Sequence, residues 1–331
     1  MVYLIKMQEE NSVQKGFIAV VGATASGKSA LAVKLAKDHG GEIVSCDSMQ
    51  IYKGMDIGTA KPTALEMDGV PHHMIDIVLP NEEFSAGDFA ERAGGVIDGI
   101  LSRGRLPIVC GGTFLYLDSL TEVSSLSEAS KDAALRAELE KFAEENGAAA
   151  LHEKLSKIDP VSASAIHENN IKRVIRAIEI FETTGKTKSE WDALSKEKQP
   201  PYKAHRLMIA YHDRTLLYRR IDERVDRMMA HGLEEEAKRL YDLGALAPHT
   251  MASQAIGYKE FIDYFEGRAD IEETTDLIKQ ASRNYAKRQL TWLRRYKDIM
   301  TVWGDCENGA PKTLDEIYRD SEALLSERGI I

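Results

Sequence analysis

Residues 22–29 of the chain read Gly22-Ala23-Thr24-Ala25-Ser26-Gly27-Lys28-Ser29. This spacing matches the P-loop, in which two glycines separated by four residues precede Lys and Ser or Thr. The glycines allow backbone N–H groups to converge on an anion, and the helix that follows adds the partial positive charge of its N-terminus. Lys28 supplies a charge for the outer phosphate, and Ser29 supplies a hydroxyl for Mg²⁺. The stretch therefore predicts a site for a di- or triphosphate with a bound magnesium ion.

The residues on either side of this stretch predict an α/β fold. Residues 16–22 form a short apolar run typical of a buried strand, and residues 28–38 are typical of a helix. Four further strands are predicted, at residues 42–47, 106–110, 207–211 and 299–303. Strands that alternate with helical stretches indicate a P-loop NTPase-like core with a mainly parallel sheet.

The character of the sequence changes between residues 122 and 200. Strand-like runs stop there, and the segment is rich in Ala, Glu, Lys and Leu at helical spacing. We therefore predict two parts. A catalytic core consists of residues 16–121 and 201–331, and a helical insertion domain consists of residues 122–200.

The composition is that of an ordinary globular protein. The 331 residues are 43% hydrophobic and 29% charged, and no run approaches the roughly 18 apolar residues that can span a bilayer. The N-terminus lacks the pattern of a signal peptide. Cys46, Cys110 and Cys306 are far apart in the sequence, so neither a zinc site nor a disulfide framework is expected. We expect a cytoplasmic monomer that does not contact membranes.

The charge of the chain is unevenly distributed. A net charge of −10 argues weakly against a nucleic-acid partner, because phosphate binding requires clustered Lys and Arg. Residues 283–297, however, are strongly basic and contain interleaved aromatic side chains, whereas the acidic residues concentrate elsewhere, for example at residues 234–236. The distribution matters more than the sum, so a nucleic-acid partner remains compatible with the sequence.

Polar residues follow two of the predicted strands. Asp47 ends the second strand, and Gly111-Gly112-Thr113 follows the third. Ligands of open α/β sheets bind at this carboxyl edge. Asp47 is either a helix cap or a functional carboxylate, as metal ligand or general base. The two glycines either form a simple turn or let the backbone approach a ligand closely, with Thr113 as a hydroxyl partner.

A P-loop does not by itself define a reaction. A small-molecule or nucleotide kinase, an ATP-binding NTPase, and a transferase whose leaving group is diphosphate all fit the motif. The helix after the fourth strand carries several arginines, which are either a solvated face or cations that reach a transferring phosphate. These arginines are Arg219, Arg220, Arg224 and Arg227.

Taken together, the motifs resemble those of the tRNA dimethylallyltransferase (isopentenyltransferase) family, from Phe17 to about Trp303. The most specific stretch is Asp47-Ser48-Met49-Gln50-Ile51-Tyr52-Lys53-Gly54-Met55-Asp56-Ile57-Gly58-Thr59-Ala60-Lys61-Pro62. Later stretches are also similar: Val70-Pro71-His72-His73-Met74-Ile75-Asp76, Gly111-Gly112-Thr113, Gln254-Ala255-Ile256-Gly257-Tyr258-Lys259 and Ala286-Lys287-Arg288-Gln289-Leu290-Thr291-Trp292. A kinase would share only the P-loop.

The resemblance implies transfer of a dimethylallyl group from dimethylallyl diphosphate to the exocyclic amine of the adenosine just 3′ of the tRNA anticodon. It implies Asp47 as general base, Thr113 as its neighbour at the reaction centre, and Arg220 as the arginine that faces the diphosphate. The implied diphosphate-binding residues are Gly22, Thr24, Ala25, Ser26, Gly27, Lys28 and Ser29, with Ser29 also the Mg²⁺ ligand.

The resemblance also implies contacts with the anticodon stem-loop of tRNA. These contacts are Asp47, Ser48, Met49, Gln50, Thr113, Arg136, Lys172, Arg173, Arg176, Gln254, Gly257, Tyr258 and Lys259. For residues 172–176 an amphipathic helix with solvated basic residues explains the pattern equally well. The alternative function, a small-molecule or nucleotide kinase, predicts ATP consumption and no dependence on tRNA.

Overall fold

The computed structural model describes residues 14–122, 132–196, 199–248 and 250–331. The chain divides into two compact units. The first consists of the residues up to Asp118 together with Tyr202–Ile331, and the second is Ser119–Pro201. The second unit occupies the part of the chain for which the sequence predicts a helical insertion at residues 122–200.

The first unit contains a six-stranded sheet with the strand order β3-β2-β4-β1-β5-β6. The strands are β1 Gly16–Gly22, β2 Gly41–Cys46, β3 His72–His73, β4 Leu106–Gly111, β5 Lys203–Ala210 and β6 Met300–Trp303. Every neighbouring pair is parallel. The predicted α/β class with a mainly parallel sheet is therefore confirmed. The sequence analysis missed β3, a two-residue edge strand.

The helices of the described residues lie between and after the strands, singly after β1, β2, β3 and β6 and in succession after β4 and β5. In chain order they are α1 Lys28–Asp38, α2 Ala64–Met67, α3 Ala86–Ser102, α4 Phe114–Thr121, α5 Ala133–Asn146, α6 Ala148–Ile158, α7 Pro160–Ala165, α8 Ile171–Thr184, α9 Lys188–Lys196, α10 Arg214–Ala230, α11 Leu233–Asp242, α12 Phe261–Phe265, α13 Ile271–Leu293 and α14 Leu314–Glu327. Several begin at capping boxes, as at Asp270 before α13, which satisfy backbone N–H groups of the first turn.

β1 and β4 contain no charged residue because both strands lie in the core of the first unit. Strands covered by helices on both faces read as continuous hydrophobic runs. Ile18 of β1 pairs in register with Ile108 of β4 and is fully buried. Apolar residues of α1 and α14 pack with the sheet in one cluster that includes Leu31, Leu35 and Leu325.

The parallel order fixes the position of the functional edge. Cys46 at the end of β2 lies in register with Gly111 at the end of β4, and Gly22 at the end of β1 lies in register with Ile209 near the end of β5. The P-loop, Asp47, Thr113 and Tyr211 therefore all follow strand ends on the same edge, where ligands of such sheets bind.

The second unit is built from α5 to α9 around its own apolar cluster, which includes Leu139, Leu155 and Val174. Its buried carboxylate, Glu179, accepts hydrogen bonds from Arg136 and Arg176. Burial would raise the pKa of Glu179, but these hydrogen bonds lower it to about 2. Across the described ranges of both units, no helix combines the length and the apolar character required to cross a membrane.

Candidate active site

A cavity of about 270 Å³ opens at the carboxyl edge of the sheet. It lies entirely within the first unit and is bounded by the P-loop, the segment after β2, α10, α13 and the loop before α12. Its lining residues include Lys28, Ser29, Asp47, Gly58, Arg224, Gln254, Gly257, Lys259, Tyr285 and Gln289.

The P-loop adopts the tight conformation that its glycines permit. Gly27, the residue before α1, has φ 97°, a left-handed value that costs glycine little. Ala25 is also left-handed, with φ 61°. Two other elements hold this strained loop. The Thr24 amide donates to Gln289 Oε1 of α13 at 2.8 Å, and Arg224 of α10 donates to Thr24 Oγ1 at 2.7 Å.

Cations surround this loop. Lys28 lines the cavity, and burial lowers the pKa of its ammonium group, while the nearby Asp47 opposes that shift. Burial likewise lowers the pKa of the Arg224 guanidinium, which also lines the cavity. Arg220, one turn earlier on α10, donates to the carbonyl of Ala25 at 3.0 Å. The structure therefore brings three cations to the P-loop, of which Lys28 and Arg224 line the cavity itself.

Asp47 forms part of the cavity wall, directly after β2. Its Oδ1 accepts a hydrogen bond from the Met49 amide at 2.9 Å, which fixes the carboxylate over the start of the next turn. Thr113 supports the same segment, since its hydroxyl oxygen accepts from the Ser48 amide at 3.0 Å. Thr113 is thus linked to the segment that carries Asp47 through Ser48, and its role at the reaction centre stays a prediction of the family resemblance.

Tyr285 of α13 completes this wall. Its hydroxyl donates to the Gly112 carbonyl at 3.2 Å. Burial, reinforced by the negative charge of Asp47, raises the pKa of this phenol above its ordinary value. Tyr285 therefore stays neutral beside the carboxylate. The same cavity therefore holds cations that suit a diphosphate and a carboxylate that can accept a proton.

Comparison with known proteins identifies the family. A family model described as IPP transferase matches residues 50–296. The chain belongs to this family. The tRNA dimethylallyltransferase of Halalkalibacterium halodurans is 49% identical over 312 residues, which cover 94% of this chain and 98% of the relative. That of Geobacillus thermodenitrificans is 49% identical over 305 residues, which cover 91% of this chain and 95% of the relative.

Solved structures agree with this assignment. The tRNA isopentenylpyrophosphate transferase from Bacillus halodurans is 45% identical with a TM-score of 0.67, and the match covers 95% of this chain and 98% of that one. A eukaryotic dimethylallyltransferase acting on tRNA is 32% identical with a TM-score of 0.76, and the match covers 87% and 74%. The resemblance predicted from the motifs is confirmed, and the transferase prediction is favoured over the kinase.

The predicted tRNA contacts of the first unit fall into two groups. Ser48, Met49, Gln50, Gln254, Gly257 and Lys259 line the cavity together with Asp47. Tyr258 instead is fully buried and donates its hydroxyl to Glu236 at 2.7 Å. Glu236 also accepts from the amides of Asp56, Ile57 and Gly58. The Tyr258 side chain therefore joins two loops of the cavity wall.

The predicted contacts of the second unit also differ in their surroundings. Lys172 and Arg173 are exposed on α8. Arg136 and Arg176 both pair with the buried Glu179, so part of their charge is already balanced within the unit. All four stay predicted tRNA contacts.

Sequence reasoning missed most of the contribution of α13. Ser282, Tyr285, Arg288 and Gln289 line the cavity from one face of this helix, at spacings of three, six and seven residues. Such spacing places side chains on the same helical face. The polar and aromatic residues on that face could have indicated a lining of the cavity, but the same residues fit a basic nucleic-acid-binding stretch equally well. The sequence analysis treated Glu236 only as part of an acidic run. The backbone amides that it binds, such as that of Ile57, lie about 180 residues away in the sequence.

The cavity suits a phosphate-bound magnesium ion. The described residues contain no cluster of three or more His, Cys, Asp or Glu that could hold a metal alone. Mg²⁺, however, commonly binds through one or two protein oxygens and completes its shell with waters and substrate phosphates. The Ser29 hydroxyl and the Asp47 carboxylate are hard oxygen donors that line the same cavity. The donor chemistry fits this mode of binding, with Ser29 as the proposed ligand.

Proposed function

We propose that this enzyme transfers the dimethylallyl group of dimethylallyl diphosphate to the exocyclic amine of the adenosine 3′ of the anticodon in tRNA. One observation carries the proposal: a P-loop with Lys28 and a carboxylate, Asp47, face the same cavity. A kinase needs the same phosphate site, but the family to which the chain belongs supports the transferase. Cytoplasmic location and action as a monomer are further parts of the proposal.

The P-loop side of the cavity binds the diphosphate. As the carbon–oxygen bond of the donor breaks, diphosphate departs with the electron pair and gains negative charge. Lys28 and Arg224 line the cavity, and Arg220 donates to the P-loop backbone. These three cations would stabilise that charge in a partly dehydrated site, where such interactions are strong. A magnesium ion held by Ser29 would supply further stabilisation of the departing oxygens.

The Asp47 carboxylate activates the acceptor. Adenine's exocyclic amine is a weak nucleophile because its lone pair is delocalised into the ring. As nitrogen forms its bond to the allylic carbon, the Asp47 carboxylate takes the proton that the amine loses. The hydrogen bond from the Met49 amide holds that carboxylate in place. Bond formation, bond cleavage and proton transfer are thereby balanced.

Apolar side chains provide a place for the dimethylallyl group. The cavity wall includes Ile221, Val225, Met228, Ile256 and Ile278. Such a wall offers van der Waals contact to a branched five-carbon group. It also keeps water from the allylic carbon, which would otherwise be captured as an alcohol.

A direct assay tests the function. Enzyme, Mg²⁺ and dimethylallyl diphosphate labelled in the allyl group are mixed with unmodified tRNA that carries adenosine 3′ of the anticodon, without ATP. Label in the tRNA and free diphosphate are expected, and a tRNA with guanosine at that position is the matched control. Absence of label, together with ATP turnover on a small acceptor, would replace this function with the kinase.

The C-terminal half of α13 supplies a surface for tRNA phosphates. In the first half of the helix, Lys279 pairs with Asp226 and Arg283 with Asp222 of α10. Further along, the exposed basic residues have no carboxylate within ion-pair distance among the residues that the structure describes. These residues are Lys287 and Arg288 on the helix and Arg294, Arg295 and Lys297 just after it. Unpaired cations on one surface favour a polyanion despite the net charge of −10.

The double substitution Arg294→Ser/Lys297→Ser is expected to weaken tRNA binding several-fold at low salt. Each lost phosphate contact should also reduce the slope of log Kd against log salt by about 1. Filter binding between low and moderate salt measures both quantities. Arg319→Ser/Arg328→Ser removes the same charge from exposed residues within and just after α14, and it should leave the slope unchanged. Equal slopes for the two doubles would exclude the α13 surface as a phosphate contact.

A further inference from the structure

Gln289 of α13 bridges the two halves of the candidate site. Its side chain is 3% exposed. Oε1 accepts a hydrogen bond from the Thr24 amide of the P-loop at 2.8 Å, and Nε2 donates to the Gly112 carbonyl after β4 at 3.1 Å. The chemistry fixes this orientation, because an amide N–H can only donate and a carbonyl can only accept. Glutamine is therefore suited to both partners at once.

The steric fit around Gln289 is equally specific. A Cβ at Gly112 would overlap the Nε2 atom of Gln289. Glycine at residue 112 is thus explained by the approach of this amide, since only glycine leaves room for it. The Tyr285 hydroxyl donates to the same Gly112 carbonyl at 3.2 Å. Two side chains of one helical face therefore hold one carbonyl.

Both ends of the bridge lead directly to residues of the reaction. Thr24 belongs to the P-loop and is held through its hydroxyl by Arg224. Gly112 precedes Thr113, whose hydroxyl oxygen accepts from the Ser48 amide, and Ser48 follows Asp47. Loss of the Gln289 amide would leave the diphosphate loop and the carboxylate segment free to shift relative to each other. Reactions between held groups lose rate steeply when the groups are misplaced by about 1 Å.

We propose that Gln289 is a positioning residue that sets the spacing between the P-loop and the Asp47 segment. The inference rests on the proposed function, because it assumes that donor and acceptor react across this cavity. Gln289 acts through Thr24 and Gly112 rather than on substrate, since backbone groups occupy both of its polar atoms. Its loss should lower kcat while leaving the KM of each substrate nearly unchanged.

Gln289→Glu gives the most informative test. One carboxylate oxygen can still accept from Thr24, but the other then faces the Gly112 carbonyl, and two acceptors repel each other. When protonated, that oxygen becomes a donor and restores the contact. Burial raises the pKa of such a carboxyl. The activity of the variant relative to wild type should therefore rise at least roughly tenfold as the pH falls from about 8 to about 6, as expected when a buried acceptor regains its donor.

Two companion variants separate positioning from general damage. Gln289→Met removes both hydrogen bonds at similar size, and Gly112→Ala pushes the amide away. Both should lower kcat at every pH without the recovery shown by Gln289→Glu. Nearby ionisable groups, Asp47, Tyr285, Lys28 and Arg224, are common to all forms. Dividing each rate by that of wild type at the same pH therefore removes their effect.

The outcomes are distinguishable. Wild-type kcat for Gln289→Met, or a flat pH ratio for a folded Gln289→Glu, would overturn the positioning role while leaving the proposed function intact. Wild-type enzyme that puts no label into tRNA would instead overturn the proposed function. Thermal melts at each pH identify a variant that has simply unfolded. In that case the kcat of Gly112→Ala, which keeps Gln289, decides the question: a lowered kcat supports the positioning role, and a wild-type kcat overturns it.

Discussion

Asp47→Asn should lower the rate of transfer to tRNA by roughly 10² to 10⁴, the usual contribution of a general base. The substitution removes proton-accepting power with little change in shape. The asparagine oxygen can still accept from the Met49 amide, as Asp47 Oδ1 does at 2.9 Å. The cavity wall should therefore stay in place, and the affinity for tRNA should change little. Single-turnover transfer of labelled dimethylallyl, with enzyme in excess over tRNA, measures the chemical step directly.

Asp68→Asn is the matched control for this experiment. Asp68 is exposed and pairs with Lys37, and its left-handed φ of 47° suits asparagine. The Asp68→Asn substitution changes the net charge by the same amount as Asp47→Asn, and this control should keep wild-type activity. If Asp47→Asn also transfers at the wild-type rate, the proton must go elsewhere. The base assignment would then be wrong, although the function itself could stand.

The sequence was most informative where a local pattern determines the structure. β1 spans Gly16–Gly22, the strand predicted, because a buried central strand of a parallel sheet is a continuous apolar run. The P-loop was readable because its chemistry demands particular residues at fixed spacing. β3 was not readable, since two residues at a sheet edge, His72 and His73, show no alternation.

The candidate site was predicted only in part, because much of it is assembled from distant segments. Gln289 meets Thr24 across 265 positions of sequence, and Glu236 meets Ile57 across 179. No spacing rule reports such contacts. Arg220 and Arg224 lie one turn apart on α10, and the family resemblance alone singled out Arg220 as the arginine that faces the diphosphate. Only the packing of α10 shows that Arg224 lines the cavity while Arg220 holds the P-loop backbone.

The arrangement of charge explains how an acidic protein can serve a polyanionic substrate. Cations concentrate at two places in the first unit, around the P-loop and along the end of α13. The carboxylates close to these places are committed to structure or to chemistry. Asp222 and Asp226 of α10 pair with Arg283 and Lys279 of α13, and Asp47 is the proposed base. Net charge alone therefore excludes little, because phosphate binding depends on local clusters.

Lys28→Met should reduce kcat by roughly 10² to 10³, the usual cost of removing one preorganised group that stabilises developing charge. Lys28 lines the cavity at the start of α1. Its ammonium group lies beside the P-loop and is attracted by the negative charge of Asp47. Burial already lowers its pKa, so the site holds a cation that water stabilises poorly. The negative charge of diphosphate stabilises the Lys28 cation, and this attraction is strongest in the transition state, when the leaving diphosphate gains charge. The effect should therefore fall on kcat more than on the KM of dimethylallyl diphosphate.

Lys34→Met on the same helix is the matched control, since Lys34 pairs with Asp315 away from the cavity. It should retain wild-type kcat and KM in the steady-state transfer assay. A Lys28→Met enzyme that loses affinity for the diphosphate but keeps kcat would mean that the lysine binds substrate and transition state equally. Stabilisation of the leaving group would then rest on Arg224, the other cation that lines the cavity, and Arg224→Met would have to show the missing loss of kcat.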